Sequence, residues 1–229
     1  MKFLRTILAF LAIPAVVAAG WTLIISVLDF AANSGNKYLP FWIGIVCYIV
    51  FQIAFYKPLR TYVFGHELSH AIAGILSGAR IKKFNVGKES GSVVLTKDNL
   101  WITLAPYIFP IYTFFVIFIY VLLGWFTDIK PFYGIFLFLA GFTIAFHVAL
   151  TIYILSIEQP DLKVYGVFFS WVVIIAVNIV VFSLLAVFAF SDQIKASKLF
   201  GDMLANIVGS YQFLFSGAKE IWSAFQKTS

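Results

Sequence analysis

Charge is scarce in this sequence. Lys, Arg, Asp and Glu make up 11% of its 229 residues, while 62% are hydrophobic. A soluble domain carries charge at about a quarter of its positions, so much of this apolar surface has to face something other than water. Cysteine occurs once, as Cys47 in an apolar stretch. That excludes an internal disulfide framework, and packing is reason enough for the residue. Proline is sparse, at 7 residues beside 27 Phe and 11 Tyr, a profile foreign to disordered or collagenous chains. The formal charge of +6 is not gathered into a basic domain that could grip a duplex, so no nucleic-acid partner is expected. No internal repeat is visible, and with it goes sequence support for an inverted-repeat transporter.

What the sequence does have is long apolar blocks, at 6–28, 40–56, 100–125, 132–157 and 164–190, with a more polar helix at about 61–78. At 1.5 Å per residue these blocks are long enough, or almost so, to cross a hydrocarbon layer about 30 Å thick. The expected fold is an all-α polytopic membrane protein, multi-pass in the lipid bilayer, with about six membrane-embedded helices. Lys2 and Arg5 ahead of an apolar run, with Val17-Ala18-Ala19 as an acceptable cleavage sequence, would suit a signal peptide. The run continues from Trp21 through Leu28, however, and is read as a retained anchor that Pro14 bends without preventing it from spanning. Basic residues in short loops, Lys57 and Arg60 and then Arg80, Lys82, Lys83 and Lys88, are of the kind that stays on the cytoplasmic side beside anionic lipid.

Three regions follow: an N-terminal anchor helix and loop at 1–39, a core at 40–190, and a tail at 191–229. In the tail Phe200, Met203, Leu204, Ile207, Tyr211, Leu214, Ala218, Ile221, Trp222 and Phe225 recur at helical spacing among Lys198, Asp202, Gln212 and Lys219. That pattern predicts an amphipathic interfacial helix, broken near Gly209 or Gly217, that packs on the membrane surface or meets a specific partner.

The sharpest local signal is Gly65-His66-Glu67-Leu68-Ser69-His70. On a helix, residues four apart share a face, so His66 and His70 can reach one metal ion. Glu67 lies beside them as a proton acceptor. This is the machinery of metal-assisted hydrolysis, in which the metal activates a water and polarises a carbonyl while the carboxylate moves protons. Ionisable groups are costly between membrane segments and are usually functional there. The bland alternative is a polar cluster that holds helices together. Ala71, Ala73, Gly74 and Gly78 continue the helix and allow close approach of neighbouring backbones.

A tetrahedral catalytic zinc needs a third protein ligand. Most of the remaining acids lie in loops, at segment ends or in the tail, which leaves Glu158 and Asp161 in Glu158-Gln159-Pro160-Asp161-Leu162, between two long apolar blocks. Pro160 breaks the helix there. Asp161 either reaches the metal or caps the next helix, and Glu158 is the other acid at hand.

With HELSH in a membrane helix, Ala105-Pro106 opening a later segment and Pro160-Asp161 beyond it, the chain resembles the site-2 protease family of intramembrane zinc metalloproteases over about residues 40–190. It is closest to the small bacterial-type members. The resemblance implies Zn²⁺ held by His66, His70 and Asp161, with Glu67 as general base. It implies a cell-membrane location and a membrane-protein substrate whose helix can unwind locally. The chain departs from larger members in two ways: their Asn-Pro-rich approach and Asp-Gly pair are replaced here, with the glycine appearing only at Gly166, and there is no PDZ-like insertion.

Two short strands are expected in Arg80–Val86 and Gly91–Thr96 around Gly87-Lys88-Glu89-Ser90. Such a hairpin either pairs with an unwound substrate or is a plain surface ribbon, and the family places a strand-like element here. His147 and Thr151, one turn apart, can steady the site or hydrogen-bond between helices, and Asn178 has the same two readings. Outside peptidase chemistry, the same ligands suit a metal-binding transport or scaffold protein without turnover. A CAAX-type prenyl protease would draw a further Glu from a later membrane helix, and no mid-segment Glu exists beyond Glu67.

Overall fold

The structure is a computed structural model that describes residues 2–55, 58–87 and 90–228. Lys57, Lys88 and Glu89, on which the expected basic clusters and hairpin turn partly rest, lie outside the described residues, as does the side chain of Phe225. Among the described residues the chain is predominantly helical with one two-stranded sheet. It divides into two compact units, Met1–Asn33 with Phe168–Ser229, and Ser34–Val167.

In the first unit α1 (Lys2–Asn33) runs as one helix through Pro14, and α8 (Val167–Ala189) follows as a second long apolar helix. Phe10 packs on Phe168 and Phe30 stacks on Phe190. α9 (Ala196–Thr228) packs along α1, where Asn206 Nδ2 donates to Thr22 Oγ1 at 2.8 Å and the Tyr211 hydroxyl donates to the Leu11 carbonyl. The break expected near Gly209 or Gly217 does not occur, and the helix continues through both. Each glycine costs about 1 kcal/mol against alanine, which a helix of 33 residues with tertiary contacts absorbs.

In the second unit α2 (Leu39–Phe55) lies against α6 (Tyr133–Leu155) with backbone touching backbone. A Cβ at Gly44 would strike the Phe138 carbonyl, and one at Gly141 would strike that of Phe41. Only a residue without a side chain lets the two backbones come this close. Tyr48, Tyr62, Phe146 and Leu150 form a buried cluster that joins this pair to α3 (Leu59–Leu76). α3 ends in a Schellman turn. Gly78 takes φ +74°, its N–H donates to the Ile75 carbonyl at 2.9 Å, and the Ala79 N–H donates to Gly74 at 2.8 Å. The chain then enters β1 (Ile81–Val86), antiparallel to β2 (Gly91–Leu95), with Val86 opposite Gly91, Phe84 opposite Val93 and an irregularity between Ile81 and Lys83.

The block expected as one span over 100–125 is two helices, α4 (Leu100–Ile108) and α5 (Ile111–Gly124), bent by 77°. Proline disfavours helical backbone in the residue before it, and Phe109, ahead of Pro110, is extended at φ −100°, ψ 113°. A separate short helix, α7 (Pro160–Tyr165), precedes α8 and ends within the first residues of the last expected block, 164–190. Among the described residues four segments are long and apolar enough to cross a membrane: α1, Asn36–Phe55, Lys130–Leu155 and α8; the bent pair makes five if it counts as one span. α3, with its polar residues, is not in that set.

Candidate metal centre

α3 turns its polar residues inward. Glu67 and Ser69 are buried, and the Ser69 hydroxyl donates to the Gly65 carbonyl at 2.8 Å, which satisfies it within the helix. His66 and His70 lie one turn apart with ring centroids at 4.9 Å. From the far end of the unit, α7 brings Asp161 to them: its Oδ2 is 3.6 Å from Nε2 of each histidine. One donor atom from each of the three residues lies within 4.8 Å of the others, so the group could hold a metal ion.

Tetrahedral zinc with ligand bonds of about 2.0–2.2 Å sets its ligand atoms about 3.3–3.6 Å apart. The two histidine–aspartate separations of 3.6 Å lie at the edge of that range. Two imidazoles and a carboxylate are also the donor chemistry of a catalytic zinc. The residues therefore fit such an ion.

Asp161 is held from behind. The Tyr107 hydroxyl donates to its Oδ2 at 2.8 Å. Burial opposes the charge on Asp161, yet the two imidazoles beside it and the hydrogen bond from Tyr107 hold its carboxyl well below the usual carboxylate range. The capping alternative gains no support, since the N-cap of α7 is Gln159, with Pro160 next and Asp161 after it. Glu158 is exposed and pairs with Lys163.

His70 is fixed by its other nitrogen, Nδ1, which lies 2.7 Å from the Ile102 carbonyl of α4. Glu67 sits under the start of β2. A Cβ at Gly91 would come within 2.5 Å of Glu67 Cγ and 2.9 Å of its Oε1, so only glycine allows the strand this close. The main-chain N–H of Val93 faces the Glu67 carboxylate. Above the three donors opens a cavity of about 610 Å³, lined also by Val63, Ser92, Val93 and Val164.

No family model, curated protein or solved structure matches the chain. The residues and their geometry are thus the whole basis for a functional reading.

Of the residues singled out in the sequence, His66, Glu67, His70 and Asp161 come together. His147 is buried on α6 and shares a small cavity of about 20 Å³ with His66. Thr151, also buried on α6, lies beside the Tyr62 hydroxyl. Asn178 belongs to the other unit, where its Nδ2 donates to the Ile174 carbonyl one turn back at 2.9 Å. Tyr107, which the sequence suggests only as a residue shaping the start of its helix, holds Asp161 instead, and sequence reasoning missed Gly91 and the Ile102 carbonyl.

Proposed function

We propose that the chain is an intramembrane zinc metallopeptidase of the site-2 protease kind, hydrolysing peptide bonds within or near the transmembrane segments of membrane-protein substrates. One observation carries the reading: two histidines of a HELSH helix and an aspartate from a distant broken helix bring their donor atoms within 4.8 Å of one another, with the motif glutamate buried beside them. Zinc held by His66, His70 and Asp161 would supply a Lewis acid that polarises the scissile carbonyl and acidifies a water.

The chain's own residues do the rest. Glu67 takes the proton from the attacking water and passes it to the leaving amine. Gly91 lets β2 lie against Glu67, which lines the cavity, and the Val93 N–H faces its carboxylate. Tyr107 keeps Asp161 turned toward the histidines. A substrate helix hides its peptide bonds in its own hydrogen bonds, so it must unwind before attack. β2 lines the cavity and offers main-chain groups with which an unwound strand can pair. Counting α3 and the bent α4–α5 pair with the four candidate spans gives about six membrane-embedded helices, the expected setting being a cell membrane.

The test is cleavage of a panel of single-span helices by full-length protein purified in detergent. Wild type is expected to cut, a zinc chelator to stop it, and added zinc to restore it, whereas Glu67→Gln binds zinc and does not cut. Cleavage by Glu67→Gln at the wild-type rate would overturn the role of Glu67. Zinc binding by wild type with no cleavage of any helix would favour a transport or scaffold protein instead.

A further inference from the structure

α4 is almost wholly buried, and it carries a proline in its interior, Pro106. Proline has no N–H, and its ring crowds the carbonyl one turn earlier. In α4 that carbonyl belongs to Ile102, itself buried. A buried carbonyl deprived of its helical donor needs another. His70 supplies it, with Nδ1 at 2.7 Å. Because a carbonyl can only accept, this contact makes Nδ1 the protonated nitrogen. In the neutral ring Nε2 then carries the lone pair, and Nε2 is the atom that faces Asp161 Oδ2 at 3.6 Å.

We propose that Pro106 is a positioning residue of the metal centre: by removing the one backbone N–H that would compete for the Ile102 carbonyl, it reserves that carbonyl for His70 and locks the imidazole in the Nδ1–H tautomer, ready to ligate through Nε2. A proline that elsewhere would merely weaken a helix here sets the orientation of a ligand from outside the motif. Hydrogen bonds of this kind to the far nitrogen of a ligating histidine fix the ring and its tautomer. The use made of the Nε2 lone pair rests on the zinc reading above, but the tautomer does not.

The chain has 3 histidines, so full-length protein labelled with ¹⁵N-histidine and purified in detergent without metal gives an assignable imidazole spectrum. Wild-type His70 is expected as the Nδ1–H tautomer. Pro106→Ala restores the competing N–H, and its His70 is expected to become a mixture of tautomers, with zinc affinity about 10–100-fold weaker. The α-hydroxy analogue of alanine at position 106 has the same side chain and no N–H, and it is expected to restore both readouts. Wild-type His70 in the Nε2–H tautomer would overturn the proposal. So would a Pro106→Ala protein with unchanged tautomer and zinc affinity, or equal behaviour of the alanine and its analogue. If Pro106→Ala does not fold, the wild-type spectrum and the analogue carry the test. An intact Nδ1–H tautomer in a protein that binds no zinc would uphold the positioning role while overturning the zinc reading.

Discussion

α8 and α3 are helices of one apolar chain built on opposite rules. α8 has 23 residues and presents Ile175, Val180, Leu184 and Phe188 outward. Two of its polar side chains bond within the helix: the Asn178 side chain donates to Ile174, and the Ser183 hydroxyl to Ile179, each one turn back. α3 has 18 residues and does the reverse, with Glu67 and Ser69 buried and His66 and His70 engaged with Asp161 from another helix. On the exposed face of α8 any apolar side chain of similar size serves equally well. In α3 each polar atom needs a particular partner, because an unsatisfied one in a low-dielectric interior is expensive. Information about function is therefore concentrated in the less hydrophobic helix.

That contrast can be pressed from its strong end to its weak one. Replacing the proposed base on the buried face, Glu67→Gln, should lower turnover by about 10²–10⁴-fold, the usual contribution of general acid–base catalysis. Next comes Gly91→Ala, which adds a Cβ where 2.5 Å separates it from Glu67 Cγ. The glutamate has to move, with turnover about 10²-fold lower, as for a displacement near 1 Å; zinc content should be unchanged, since Gly91 touches none of the three donors. Elemental analysis beside the cleavage assay separates those two readouts, and loss of zinc in this variant would break the distinction between base and ligands. At the weak end, Ile175→Leu on the outward face of α8 should alter stability by less than about 0.5 kcal/mol, read as an unchanged melting midpoint in detergent. A large shift there would show that α8 is a specific packing surface and erase the contrast.

How much was legible in the sequence follows the same division. The HELSH face needed only the helical period, because its two histidines meet through local geometry. From the residues alone Asp161 was legible only as one of two acids beside Pro160, and the family resemblance was what singled it out. The choice between them depends on Tyr107, 54 residues away, and on which acid pairs with Lys163 at the surface. The hairpin lies where its β-prone runs and Gly87 indicated, because such signals are local. The break at Phe109 was also written in the sequence, in Pro110, but the continuous apolar composition concealed it. Gly91 and the Ile102 carbonyl were beyond reach. One matters for a side chain it lacks and the other through its backbone, and each acts on a residue brought close only by the fold.

The measurement that bears most directly on the central claim is the zinc content of the folded protein, determined by elemental analysis on wild type and Asp161→Ala purified side by side. About one zinc per chain is expected in wild type, the full complement of a three-ligand site, and a near-complete loss in Asp161→Ala, with helical content unchanged in both. Folded wild type without zinc, or Asp161→Ala that retains it at the wild-type level, would contradict the assignment of His66, His70 and Asp161 as a metal centre.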